Sequence, residues 1–271
     1  MKKFARALCL ILVMLFTAAM LSGGMPAKAM GGSVDMGDVV QLGDFRGTSL
    51  YIVFYPKELE TSDRTWPVVV WANGTMCAPV LYTNLLKSIA AQGFVVVTNS
   101  DVMSANGKSQ IAALDYILDQ NTKAGSVFCG RIDTARVAAA GHSQGGRSTV
   151  NAAAADRRFC CAVSIAGSPF TSEAKKLSAP TLFLTGTADM VVMSSMWVRP
   201  AYKNCKGPAV YASLKNGIHT SCMLNPDQYV NYCVQWLRAW MYGDAAAMGM
   251  FRFGGALSRD SGWKDFAAKN F

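Results

Sequence analysis

The chain has 271 residues, 51% of them apolar and 16% charged, a balance that excludes a disordered or fibrous protein and leaves room for one large domain with a substantial core. Its net charge of +9 is diffuse, with no dense Lys/Arg block interleaved with aromatics, so a nucleic-acid partner is not expected. Two histidines and dispersed carboxylates supply no metal-ligand set, so no metal and no other cofactor are expected.

Residues 1–29 read as a signal peptide rather than as part of the fold. Lys2, Lys3 and Arg6 form a basic head, Ala7 to Leu21 is an apolar stretch, and Ala27-Lys28-Ala29 supplies a small-x-small cleavage site. The apolar run is short for a span, so stable membrane insertion is not expected, and a secreted or periplasmic monomer is. Loss of this segment removes four basic side chains and brings the net charge to +5. Cys77, Cys129, Cys160, Cys161, Cys205, Cys222 and Cys233 then remain, and in an oxidising compartment several should pair. The expected pairing joins Cys129 to Cys160 or Cys161; Cys205 and Cys222 bracket one strand and its following loop, and whether they meet stays open.

Downstream, short β-branched runs alternate with helical patterns, which predicts an α/β architecture: a mainly parallel sheet of eight or nine strands with helices on both faces. Strands are predicted at Val39–Phe45, Ser49–Tyr55, Pro67–Ala72, Phe94–Thr98, Val137–Ala140, Ala162–Ala166, Thr181–Thr185 and Ala209–Leu214. The first two should form an antiparallel hairpin through Arg46-Gly47. Helices are predicted at Leu81–Gln92, Ser109–Asp119, Gly146–Ala155, Met193–Tyr202 and Asp227–Met241. The main domain is placed at residues 30–242, with 243–271 as a tail folding into one or two short helices packed on it.

The chemistry centres on Gly141-His142-Ser143-Gln144-Gly145, directly after an apolar strand and before a small-residue helix. Gly-x-Ser-x-Gly in that setting is the pattern of a nucleophile elbow, a sharp turn that exposes the serine hydroxyl. A serine needs a neighbouring base. His142 should point away from Ser143 as a partly buried packing residue, which leaves His219, in the loop after the last predicted strand. Asp189, just past the strand Thr181–Thr185, is the acid expected to orient that imidazole, with Asp101 in reserve. The resulting order is Ser143, Asp189, His219, that of α/β-hydrolases. The oxyanion donors are expected to be the backbone N–H groups of Gln144 and of Thr75, in Asn73-Gly74-Thr75-Met76.

From about Pro67 to His219 the chain resembles the cutinase-like polyesterases and related dienelactone-hydrolase-type α/β-hydrolases. Trp71-Ala72-Asn73-Gly74-Thr75, Gln92-Gly93-Phe94-Val95-Val96-Val97, Arg131-Ile132-Asp133, the elbow with Gly146, and Gly186-Thr187-Ala188-Asp189 carry the likeness. It implies an α/β-hydrolase fold and a serine esterase. Thr75 stands where such polyesterases tend to have an aromatic, and Gly167-Ser168-Pro169 replaces an aromatic wall. Only about a dozen residues separate Ala166 from Thr181, too few for a lid domain. A lidless groove suits small-molecule or polymeric esters, with Gly74, Met76, Phe170, Met190 and Trp197 as expected substrate contacts. Acyl transfer to an alcohol or sugar, a catalytically silent binding module and, more weakly, amide hydrolysis remain open alternatives.

Overall fold

A computed structural model of the protein describes residues 38–45 and 50–271. The expected signal peptide and the Arg46-Gly47 turn lie outside the described residues. The described chain forms one nine-stranded sheet in the order β1-β2-β4-β3-β5-β6-β7-β8-β9. The strands are β1 (Val39–Leu42), β2 (Tyr51–Pro56), β3 (Trp66–Ala72), β4 (Val95–Asn99), β5 (Ile132–His142), β6 (Phe159–Ile165), β7 (Thr181–Gly186), β8 (Ala209–Leu214) and β9 (Trp263–Lys269). From β4 through β8 all neighbours are parallel, whereas β1–β2, β2–β4 and β8–β9 are antiparallel.

The helices are α1 (Thr83–Ala90), α2 (Lys108–Thr122), α3 (Gln144–Ala155), α4 (Thr171–Ala174), α5 (Val198–Asn204), α6 (Ser221–Leu224), α7 (Asp227–Tyr242), α8 (Ala245–Gly249) and α9 (Ala256–Arg259). They cover both faces of the sheet, which is why the central strands are buried along their whole length. Strand alternation sorts one sequence run into two cores. Val69 and Trp71 of β3 pack with Leu85 and Leu86 of α1 and Trp236 of α7, while Val68 and Val70 pack with Leu114 of α2 and Val150 of α3. This is an α/β-hydrolase fold.

Four departures from the sequence expectations concern the tail, residues 193–197, the β6–β7 connection and the thiols. The tail contributes α8, α9 and the edge strand β9, where short helices alone were expected. β9 starts on buried Trp263, yet its Lys-Asp-Phe-Ala-Ala-Lys run has little β-propensity, and it is a strand because the open edge of β8 supplies its hydrogen bonds. Residues 193–197 form turns rather than the start of a helix, so α5 begins only at Val198. The connection between β6 and β7 holds the single helical turn α4.

The fourth departure concerns the thiols. All seven described cysteines are free, and the expected bond from Cys129 to Cys160 or Cys161 is not made. Cys129 is exposed, next to Phe128, which packs on one sheet face, whereas Cys160 and Cys161 pack on the other. Cys205 and Cys222 are likewise on opposite faces and do not meet.

Candidate active site

The parallel strands present their C-terminal ends on one rim, and each candidate residue leaves such an end. Ser143 follows β5, and the chain turns there so sharply that it takes φ 57° and ψ −120° before α3 starts at Gln144. Glycine at 145 is required because a Cβ there would lie 2.0 Å from the carbonyl oxygen of Ala72. Ser143 N–H donates to Ile165 O at 2.9 Å, which pins the elbow to β6.

β5 and β8 are separated by two intervening strands, a span of about 14 Å, so loops must close the distance. After β7, Asp189 turns back: its Oδ1 accepts from Val191 N–H at 2.9 Å and Val192 N–H at 2.8 Å. After β8, Gly217 O accepts from Ala188 N–H at 2.9 Å and joins the two loops. The side chains then converge. His219 Nδ1 lies 2.9 Å from Asp189 Oδ2, and His219 Nε2 lies 2.9 Å from Ser143 Oγ. The Asp189 side chain is fully buried and that of His219 is 6% exposed. Asp101 is elsewhere; its carboxylate accepts from Met103 N–H at 2.7 Å.

A carboxylate only accepts, so the imidazole proton sits on Nδ1 and Nε2 offers its lone pair to the serine hydroxyl. Gln144 occupies the first turn of α3, where backbone N–H groups have no intrahelical acceptor and the helix dipole favours negative charge. In the loop after β3, Gly74 N–H donates to Tyr82 Oη at 3.0 Å and Met76 N–H donates to Val102 O at 3.0 Å. Thr75 lies between them.

His142 is 1% exposed rather than partly buried, and both ring nitrogens are engaged. Its Nε2 is 2.8 Å from His219 O and its Nδ1 is 2.9 Å from Tyr82 Oη. Burial pushes its pKa well below the ordinary 6.5, and His219 nearby adds to this. Burial likewise pushes Tyr82 well above the ordinary tyrosine value. Sequence reading missed Tyr82, since nothing in Pro79-Val80-Leu81-Tyr82 signals a partner sixty residues away.

Of the expected substrate contacts, Gly74 sits against the serine, with its Cβ position 3.3 Å from Ser143 Cβ. Met76 and Met190 are 62% and 80% exposed. Phe170 is half exposed, with its ring 6.0 Å from that of Trp197 and the Arg147 guanidinium 4.1 Å above it. Met103, Met193, Met196 and Ile218 add further exposed apolar side chains on the loops after β4, β7 and β8. These were not anticipated, because a methionine in sequence looks the same in a core as on a rim.

The family model for PET hydrolase-like proteins matches residues 27–251. The chain belongs to that family. Within the cutinase-like part of the α/β-hydrolases it is 28% identical over 199 residues to the bis(hydroxyethyl) terephthalate hydrolase of Streptomyces coelicolor, covering 71% of this chain and 62% of that one. It is 26% identical to cutinase est2 of Thermobifida alba, over 71% of this chain and 64% of the relative, and 25% identical to cutinase 2 of Thermobifida cellulosilytica, over 71% and 73%. The matched stretch spans less than two thirds of the first two relatives. Among the described residues of this family member no helix is long and apolar enough to cross a membrane, and no group of His, Cys, Asp and Glu is arranged to hold a metal.

Proposed function

We propose that the protein is an exported serine hydrolase that cleaves carboxylic esters through an acyl-enzyme on Ser143. The observation that carries the proposal is the unbroken chain of two 2.9 Å contacts from Ser143 Oγ through His219 to Asp189. His219 Nε2 takes the hydroxyl proton as Ser143 Oγ attacks the ester carbonyl, then returns it to the departing alcohol. Buried Asp189, already holding two backbone N–H groups, holds the ring in this tautomer and stabilises the imidazolium. The N–H groups of Gln144 and Thr75 receive the oxyanion. Water attacking the acyl-enzyme, with His219 as base, completes the turnover.

The substrate is an ester with an apolar acyl part, small or polymeric, because exposed methionines and the half-exposed Phe170 ring stand on the loops after β3, β4, β6 and β7. Relatives bearing the names cutinase and bis(hydroxyethyl) terephthalate hydrolase support ester cleavage. Export rests on the basic head, apolar run and small-residue site within residues 1–29. The test is hydrolysis of p-nitrophenyl butyrate by wild type and Ser143→Ala. The variant should lose at least about a thousandfold in kcat; equal rates would refute the assignment.

A further inference from the structure

We infer that Tyr82 and His142 form a positioning bridge that sets the spacing between the oxyanion loop and the general base, a role that rests on the esterase reading above. The backbone carbonyl of His219 can only accept, so His142 Nε2, 2.8 Å away, carries the ring proton. In the neutral ring Nδ1 is then a bare lone pair, and Tyr82 Oη, 2.9 Å away, must donate to it. The same hydroxyl accepts from Gly74 N–H at 3.0 Å. Every proton direction is determined, from the residue before Thr75 to the backbone of His219. The Cys77 thiol also touches Tyr82, but sulfur is a weaker acceptor than imidazole nitrogen.

The oxyanion loop is seated directly on this bridge. A Cβ at Gly74 would lie 2.9 Å from Tyr82 Oη and 3.3 Å from both His142 Nδ1 and Ser143 Cβ. Packing alone would not call for the hydroxyl, since phenylalanine would fill the same buried space, with its ring still 5.1 Å from that of Trp71. What the polar atoms add is a fixed distance between two loops that leave different strands. Catalysis is sensitive to that distance, because displacement of an attacking or stabilising group by 1 Å costs on the order of a hundredfold.

The experiment compares wild type and Tyr82→Phe in two assays: the rate at which a fluorophosphonate labels Ser143, and kcat and KM for p-nitrophenyl butyrate. The expected result is labelling and kcat both slowed by roughly tenfold or more, with KM changed less than about twofold. A cooperative unfolding transition shows whether the variant is folded; where it is not, His142→Gln, which keeps a donor for the His219 carbonyl but gives Tyr82 no acceptor in the same place, should show the same split. A folded variant labelled and turned over at the wild-type rate overturns the bridge and leaves the esterase reading intact. A wild type that the probe does not label overturns the esterase reading itself, and the bridge's role with it.

Discussion

Ser143 and His142 are neighbours in sequence with opposite environments. Strand alternation at the end of β5 turns the imidazole inward, and the left-handed backbone at Ser143 then lifts the hydroxyl to the rim. Such a conformation costs about 1–3 kcal/mol and is held by the bond from Ser143 N–H to β6 and by the close packing of Gly141 and Gly145, on either side of it, against Ala72. The burial of His142 has a consequence for pH. Its pKa is held below 6.5 in the native state, so the unfolded chain binds a proton that the folded one excludes. The stability concerned is complete above pH 6.5 and is lost as the pH falls below it, with a slope of up to about 1.4 kcal/mol per pH unit. Asp156, held below its usual 3.8 by its hydrogen bond to Arg158, acts only further down. Urea unfolding at pH 7.5, 6.5 and 5.5 should therefore show falling stability in wild type and a flatter profile in His142→Gln. An unchanged slope in that variant would mean that another group titrates there.

At the scale of elements, α3 and α4 are locked by Arg147 and Glu173, whose shortest contact is 2.6 Å, and Glu173 also accepts from Phe170 N–H at 2.8 Å. Arg147 lies in turn over the Phe170 ring. The pair is partly exposed, so its own contribution is modest, about 1 kcal/mol or less. Its larger effect is on where Phe170 stands. Glu173→Ala should raise KM for p-nitrophenyl butyrate several-fold with kcat little changed, as loss of uniform binding requires; a fall in kcat at constant KM would contradict this. Elements of this kind were partly legible. Valine-rich β3 and β4 announce themselves, because buried parallel strands read as continuous apolar runs. β5 was read short, from Val137, because Asp133, Thr134, Ala135 and Arg136 are polar or exposed where the strand extends beyond the covering helices. The turns at 193–197 were hidden for another reason: Asp189 binds Val191 and Val192 N–H and redirects a stretch whose side chains would suit a helix.

Across the whole molecule, the sheet ends differently at its two sides. The β1–β2 hairpin was evident from local patterning, whereas β9 reaches the far edge only after the chain has passed through α7, α8 and α9. Trp263 at its start packs edge-on against Tyr229 and Tyr232 of α7, each ring 5.6 Å away. Trp263→Ala should cost about 3–5 kcal/mol in denaturant unfolding. A loss below about 1 kcal/mol would show that the tail is only laid against β8 rather than built into the core.

Local order of residues was enough to place the sharp turn at Ser143, the helix after it, and Asp189 and His219 on the loops that follow two later strands, because each depends on a turn and a strand contiguous in the chain. The tertiary structure alone decided how loops from strands about 14 Å apart lean together until Ser143, His219 and Asp189 touch. It also decided that Tyr82 reaches His142 and that the cysteines fall on opposite sides of the sheet. Those are relations between segments distant in sequence, set by strand order and packing depth, and no local pattern of residue types encodes either.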